Sequence, residues 1–293
     1  MVRYLDLNKR VQWQAENEST VLLLDKMGDL AGLSFTASPE NASPLFDFSL
    51  IPEPVSPSGE IKWMDTLYFA SDSDCRHLRA IGRIRNRTPE ELGFLYRRLF
   101  FYGLLSELLA GELFYFHGGL LVHNGSGTLF SGPSGVGKST FARRITPDFE
   151  VRSDDLVLLY RKTGQWFAHP APTWSIWFAN TALPRRYRTA EPVPLRNFIL
   201  LGRDQVESFS TRLPLPLRQI GLSRALNDLV HILASPCPPE FRRRLSQNIL
   251  HGASELCRSL PGGYFKLNVT DDPRSNPDFR RFLFWVPFKI RPY

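Results

Sequence analysis

Cysteine is scarce in this sequence, which has three in 293 residues: Cys75, Cys237 and Cys257. Their separations give no paired spacing, which argues against a disulfide framework and against a Cys-x-x-Cys metal or redox site. His231 and His251 lie near the last two in sequence, but these separations match no compact zinc-ligand spacing. We therefore expect reduced cysteines that pack in the core.

Long apolar runs are also missing. No stretch approaches the roughly 18 uninterrupted apolar residues that a membrane-spanning helix requires. The first ten residues mix Arg3, Asp6, Lys9 and Arg10 with apolar side chains, and so lack the apolar segment of a secretory signal. We expect a soluble, cytoplasmic protein without a membrane partner.

The composition is that of an ordinary globular protein, with 43% hydrophobic and 22% charged residues. A chain of 293 residues predicts one large α/β unit or two domains.

The net charge of +7 favours polyanionic partners such as nucleotides or acidic peptides. No signature of a nucleic-acid-binding fold accompanies the short arginine runs, so nucleic acid is not an expected partner. A homo-oligomer is compatible with the sequence.

Residues 1–88 have an irregular pattern. Short β-like runs at residues 21–24 and 66–70 flank a proline-dense segment, and proline is excluded from helix interiors and central strands. We therefore expect a loop-rich, mixed N-terminal region of unassigned role over residues 1–88. The prolines of this segment are Pro39, Pro44, Pro52, Pro54 and Pro57.

From residue 88 onward the pattern is that of an α/β domain. Thr88, Pro89 and Glu91 give the capping threonine, first-turn proline and capping-box glutamate of a helix start. Apolar residues at helical spacing continue to Leu109, and Gly111 ends the run. Strands are predicted at 120–123, 128–130, 156–160, 195–201 and 264–269, a hairpin turn at 124–127, and helices at 138–145, 217–234 and 240–259.

A glycine-rich motif follows the second of these strands and opens a predicted helix. A polyphosphate needs many donors at close range, and glycines let backbone N–H groups approach it. The lysine of the motif can reach the β and γ phosphates, and the following serine hydroxyl can bind Mg²⁺. The motif predicts a P-loop that binds ATP and Mg²⁺ rather than a surface turn. The nucleotide-binding residues are Gly132, Pro133, Ser134, Gly135, Val136, Gly137, Lys138, Ser139 and Thr140.

Two adjacent aspartates, Asp154 and Asp155, precede the strand predicted at 156–160. Adjacent carboxylates repel each other unless a cation or a proton intervenes. Nucleotide-bound Mg²⁺ would supply that cation, leaving one carboxylate for the metal and one to take a proton from an attacking hydroxyl. A solvated turn or a helix cap is the alternative.

The order of these motifs resembles a known family. The run His117-Gly118-Gly119-Leu120-Leu121-Val122, then Gly-Pro-Ser-Gly-Val-Gly-Lys-Ser, then Asp154-Asp155, resembles the HPr kinase/phosphorylase family over residues 95–205. The resemblance implies an α/β fold with a P-loop core of the HPr kinase and phosphoenolpyruvate carboxykinase type and a mixed sheet. It also implies that residues 89–293 form a kinase-like domain.

The resemblance assigns roles residue by residue. It implies that Asp154 is the catalytic base and that Asp155 binds metal with Ser139 or orients the substrate. It places His117 beside the transferred phosphate, which Lys138 reaches from the glycine-rich motif, although His117 alone is equally typical of a structural histidine. No acidic residue lies between Asp155 and Glu191, so the downstream glutamate motif of the family is not visible. Phosphorylase activity and HPr as substrate therefore stay open.

The sequence thus predicts a kinase that transfers the γ-phosphate of ATP to a hydroxyl, serine above all, of a peptide, protein or small metabolite. The alternative is a nucleotide-operated switch or binding module without a phosphorylated acceptor. The Asn-Lys-x-Asp pattern of GTPases does not occur, and the further motifs of a carboxykinase are not recognisable. Arg203, at the end of a predicted strand, is expected near the phosphates.

Overall fold

The computed structural model describes the chain in part. It gives the backbone of residues 2–6, 10–15, 45–51, 61–63, 67–71 and 77–83, and it describes residues 97–98, 100–145, 149–171, 191–211, 213–235 and 237–268 with their burial. The chain forms two compact units. The first comprises residues 1–113, 174–183 and 231–245, and the second comprises residues 114–173, 184–230 and 246–293. The boundary expected at residue 88 stays a prediction.

The first unit contains a six-stranded mixed sheet with the order β1-β2-β3-β6-β5-β4. The region expected to be loop-rich therefore has more strand than its sequence pattern indicated. β3 spans Leu45–Ile51 and contains no proline. The predicted run at 21–24 lies outside the described residues. The strands are β1 Val2–Asp6, β2 Arg10–Ala15, β3 Leu45–Ile51, β4 Ile61–Trp63, β5 Leu67–Ser71 and β6 His77–Arg83.

The helix predicted to end at Gly111 is interrupted. Residues 97–98 and 100–102 are helical, a turn follows at 103–104, and helix α1 spans Leu105–Ala110. Gly111 ends α1 as predicted, with a left-handed φ of 74°. The predicted cap at residues 88–91 lies outside the described residues. Within this unit the Tyr102 hydroxyl donates to the carbonyl oxygen of Leu233 at 3.1 Å.

The second unit is built on a nine-stranded mixed sheet, which confirms the α/β class and the mixed sheet expected from the sequence. The main path has the order β10-β8-β9-β13-β12-β11-β7, and β15 pairs with both β13 and β14. Its strands are β7 Leu113–His117, β8 Gly119–His123, β9 Ser126–Ser131, β10 Glu150–Ser153, β11 Leu156–Lys162, β12 Gln165–Pro170, β13 Val193–Arg203, β14 Ser208–Ser210 and β15 Gly262–Leu267.

Strands β8 and β9 form the predicted hairpin. His123 pairs with Ser126, so the turn consists of Asn124 and Gly125, whose φ values are 49° and 70°. Two consecutive positive φ values are typical of the tight turn whose twist matches a hairpin. Strand β9 then runs parallel to β13, with Ser131 opposite Leu200.

Helix α2, Lys138–Ile145, has the predicted bounds and packs through Phe141. The Phe141 ring lies 5.3 Å from that of Phe130 on β9 and 5.5 Å from that of Phe265 on β15. All three side chains are buried. This aromatic contact holds the start of α2 at the carboxyl ends of two parallel strands.

Helices α3, Leu215–Leu233, and α4, Pro239–Ser259, agree with the predicted helices. α3 buries a stripe at helical spacing, made by Leu222, Ala225, Leu226 and Leu229. Among the helices within the described part of the chain, none combines the length and apolarity needed to cross a membrane.

The prediction of cysteines in the core is confirmed for two of the three. Cys237 and Cys257 are buried free thiols. Cys75 lies outside the described residues.

Gly119, at the start of β8, yields a stability prediction. A Cβ there would overlap the Phe130 ring and lie 2.6 Å from the backbone oxygen of Ser153. We expect Gly119→Ala to lower the free energy of unfolding by about 1–3 kcal/mol or more, because overpacking forces the backbone to move. Urea unfolding measures this. Gly125→Ala is the control, since nothing lies within 4 Å of a Cβ there and only its positive φ is strained. An equal or larger loss in the control would contradict the prediction.

Candidate functional site

The glycine loop, residues 132–137, connects β9 to α2. Gly135 and Gly137 have φ values of 75° and 104°, which side chains rarely permit. At Gly132 a Cβ would lie 2.6 Å from the carbonyl oxygen of Leu201 on β13, so the loop passes close to that strand. The first helical hydrogen bond runs from the Phe141 N–H to the Gly137 oxygen at 2.8 Å. The Val136 N–H of the loop donates to the Pro133 oxygen at 3.2 Å. The N–H groups of the first turn of α2 have no acceptor inside the helix, and such a helix start is the geometry that favours anions.

Lys138, the first residue of α2, folds back over this loop. Its Nζ donates to the carbonyl oxygen of Gly132 at 3.0 Å and lies 3.5 Å from that of Pro133. Burial lowers the pKa of Lys138, and the charges of Asp155 and Asp228 oppose that shift. The lysine therefore lies within electrostatic reach of two carboxylates from distant parts of the chain.

Three chain segments cross at His117 and Gly118. The Ser131 hydroxyl, at the end of β9, donates to the carbonyl oxygen of His117 at 2.6 Å. The N–H of Gly118 donates to the carbonyl oxygen of Asp155 at 3.0 Å. A Cβ on Gly118 would overlap the backbone oxygen of Phe130, so only glycine permits this approach. The crossing places Asp155 beside His117 and next to the start of the glycine loop.

The His117 imidazole lies between two carboxylates. Its Nδ1 is 3.3 Å from Oδ2 of Asp228, and its Nε2 is 3.7 Å from Oδ1 of Asp155. We name His117, Lys138, Asp155 and Asp228 the charged cluster. The structure thus brings together three residues that the sequence singled out.

Asp228 was missed by sequence reasoning. It lies on α3, 111 residues from His117 in the chain. No motif surrounds it, and its only local signal is an acidic residue at the flank of the buried stripe of an amphipathic helix. The structure alone relates it to the glycine loop.

The other predicted site residues differ in position. Asp154 is buried at 7% exposure, whereas the Asp155 side chain is 24% exposed and faces His117. Ser139 is exposed on the first turn of α2, and the Thr140 hydroxyl lies 3.4 Å from Nη2 of Arg143. Their predicted roles with nucleotide stay predictions.

Arg203 is the last residue of β13 and is exposed at the strand's carboxyl end. It lies two residues beyond Leu201, whose carbonyl oxygen borders Gly132. Arg203 is therefore on the same edge of the sheet as the glycine loop. Whether it contacts phosphate stays a prediction.

The donor set suits nucleotide-bound Mg²⁺. Such an ion takes one or two protein oxygens and completes its octahedron with phosphate oxygens and water. Ser139 offers a hydroxyl and Asp155 a carboxylate, and both are oxygen ligands that a hard cation prefers. Within the residues that the structure describes, no group of three or more His, Cys, Asp or Glu side chains is placed to hold a metal ion.

His169, in the stretch that follows the aspartates, is buried in β12 away from water. Its Nδ1 lies 2.8 Å from the carbonyl oxygen of Pro170, so the neutral ring carries its proton there and donates it. Burial lowers the pKa of His169 to about 4. The histidine is neutral near pH 7.

This pKa predicts a pH dependence of stability. Between pH 6.5 and about 4 the unfolded chain binds a proton at His169 that the folded chain does not. The contribution of His169 to stability is therefore complete above pH 6.5, falls as the pH falls towards 4, and is flat below. The loss is on the order of 3 kcal/mol.

Urea unfolding of His169→Gln at several pH values in this range should show that the free energy of unfolding depends less steeply on pH than in the natural chain. The exposed His251 supplies the control, His251→Gln, which should keep the slope. An unchanged slope in His169→Gln would contradict the assignment.

Comparisons with known proteins give partial likenesses. Residues 84–221, just under half of the chain, match the model of the family described as SynChlorMet cassette protein ScmC. Among solved structures, the Hpr(Ser) kinase/phosphatase from Coxiella burnetii is 15% identical, with 33% of this chain and 77% of that chain covered and a TM-score of 0.23. None of the curated proteins matches. The family match includes His117, the glycine loop and both aspartates but not Asp228.

Proposed function

We propose that this protein is an ATP-dependent kinase with a P-loop core of the HPr kinase type, which transfers the γ-phosphate to a hydroxyl of a peptide, protein or small metabolite. The observation that carries the proposal is the charged cluster. Lys138 and Asp155 lie together beside a loop with anion-binding geometry, and His117 lies against Asp155. A P-loop alone would serve any nucleotide-binding protein, whereas a carboxylate and an imidazole at its mouth provide for proton transfer.

Different residues of the site have different roles in the proposed phosphoryl transfer. The glycine-loop N–H groups bind the phosphates, and Lys138 exchanges its bond with the Gly132 carbonyl for one with phosphate oxygen. Ser139 and one carboxylate of the Asp154-Asp155 pair would hold Mg²⁺, which would neutralise charge on the phosphates. The other carboxylate accepts the proton of the acceptor hydroxyl. Such an enzyme would work in the cytoplasm, where ATP is supplied.

The geometry favours Asp155 over Asp154 as that carboxylate. Asp155 is partly exposed, contacts His117 and influences Lys138, whereas Asp154 is buried. A general base must reach the proton that it removes. The family resemblance assigns the base to Asp154, so the two assignments are open to a direct test.

The direct test of the function is acceptor phosphorylation. The protein is incubated with labelled ATP, Mg²⁺ and candidate peptides encoded near its gene, and the products are analysed by mass spectrometry. We expect one acceptor to gain a single phosphate. Hydrolysis of ATP with no phosphorylated acceptor would instead support a nucleotide-operated switch.

Lys138→Ala should weaken binding of ATP with Mg²⁺ by about 10- to 100-fold, because charge-assisted hydrogen bonds contribute roughly 1.5–3 kcal/mol. Titration calorimetry measures the affinity. The control is Lys162→Ala, which removes an exposed lysine at the end of β11 and should leave the affinity unchanged. Equal affinity for ATP in the wild type and in Lys138→Ala would contradict the proposal that the glycine loop binds the phosphates.

Asp155→Asn should lower phosphoryl transfer on the order of a hundredfold or more while nucleotide binding persists, because asparagine keeps the shape and loses the proton acceptor. Single-turnover assays at several Mg²⁺ concentrations measure this. Partial rescue by high Mg²⁺ would assign Asp155 to the metal instead. Asp154→Asn is the matched variant: a larger defect there, with the fold intact, would return the base to Asp154.

A further inference from the structure

Asp228 is the member of the charged cluster that no motif accounts for. It stands on α3, and its side chain is 46% exposed. An exposed aspartate is ordinarily a solvated surface group. The Asp228 carboxylate, however, is turned to Nδ1 of His117 at 3.3 Å, which indicates a specific contact.

The position of α3 explains this contact. Gly221 lies two helical turns before Asp228 and therefore on the same side of the helix. A Cβ on Gly221 would overlap the end of the Leu200 side chain, so the missing side chain lets α3 approach β13. Leu200 pairs with Ser131, and the Ser131 hydroxyl binds the carbonyl of His117. Helix α3, strands β13 and β9 and His117 are thus joined by successive contacts that place Asp228 at His117.

Of the two carboxylates beside the imidazole of His117, one is within hydrogen-bonding distance and the other is not. At 3.3 Å the Nδ1 of His117 is within hydrogen-bonding range of Asp228, whereas 3.7 Å from Nε2 to Asp155 is too long for a hydrogen bond. An ionised carboxylate can only accept hydrogen bonds, so the hydrogen bond between Nδ1 and Asp228 requires a proton on Nδ1. A neutral imidazole then has an unprotonated Nε2, and that nitrogen points to the side of Asp155.

We propose that Asp228 is a positioning residue that holds His117 in the Nδ1-protonated tautomer, with Nε2 directed into the site beside Asp155. The partner of one ring nitrogen decides which nitrogen is free for chemistry. With Nε2 free, His117 can accept a hydrogen bond from the acceptor hydroxyl or from a water at the phosphate. The effect on phosphoryl transfer rests on the proposed function, whereas the tautomer does not.

The tautomer is measured by long-range ¹H–¹⁵N NMR of the histidine side chains of the full chain. The His117 signals are identified by their loss in His117→Gln. At a pH where the ring carries a single proton, we expect the Nδ1-protonated form to predominate in the wild type. In Asp228→Ala the ring should shift towards the Nε2-protonated form, which is the form that histidine prefers in water. Asn227→Ala, an exposed neighbour on the same helix, should leave the spectrum unchanged.

An unchanged His117 spectrum in Asp228→Ala would overturn the proposal, and so would an Nε2-protonated ring in the wild type. In the kinase assay Asp228→Ala should lower kcat at least about tenfold with nucleotide affinity within twofold, as for a lost part of acid-base catalysis. If the tautomer shifts while no variant phosphorylates an acceptor, the proposed function fails and the role of Asp228 in fixing His117 stands.

Discussion

The close crossing of His117 and Gly118 over the end of β9 is the constraint on which the candidate site depends. The Ser131 hydroxyl fixes the His117 carbonyl from one side, and the Gly118 N–H fixes the Asp155 carbonyl from the other. Neither bond could form with a side chain at residue 118, because it would overlap the backbone of Phe130. A single glycine therefore allows an imidazole, a carboxylate and the start of the glycine loop to share one location.

Charge balance at the site depends on this arrangement. Lys138 donates a hydrogen bond to the carbonyl oxygen of Gly132 in its own loop, and the negative charges of Asp155 and Asp228 act on it. A bound triphosphate would attract the lysine and repel both carboxylates. A divalent cation that accompanies the phosphates removes that repulsion, so the same carboxylates that oppose a bare anion favour its metal complex. Under the proposed function, the cluster would therefore favour nucleotide with Mg²⁺ over a free polyanion.

The elements that the sequence predicted well are those fixed by local chemistry. α2 has the predicted bounds, because a loop glycine precedes it and an apolar face runs through it, and the β8–β9 turn follows from Asn124 and Gly125. The elements that the sequence did not predict depend on contacts between distant parts of the chain. The break at residues 103–104 and the six-stranded sheet of the first unit had no clear periodic signal. Asp228 was missed because its neighbours belong to distant parts of the chain.

The adjacent aspartates show how local geometry separates two residues that a motif treats as a pair. The Ser153 hydroxyl donates to the Leu156 carbonyl at 2.7 Å and accepts from the Leu156 N–H at 3.3 Å, which closes the bend that contains both aspartates. Within this bend Asp154 is buried and Asp155 faces His117. Their environments therefore differ, although the two residues are adjacent in the chain. A motif that pairs two aspartates in sequence thus does not place them in one environment, and it is Asp155 whose carboxylate lies 3.7 Å from the imidazole.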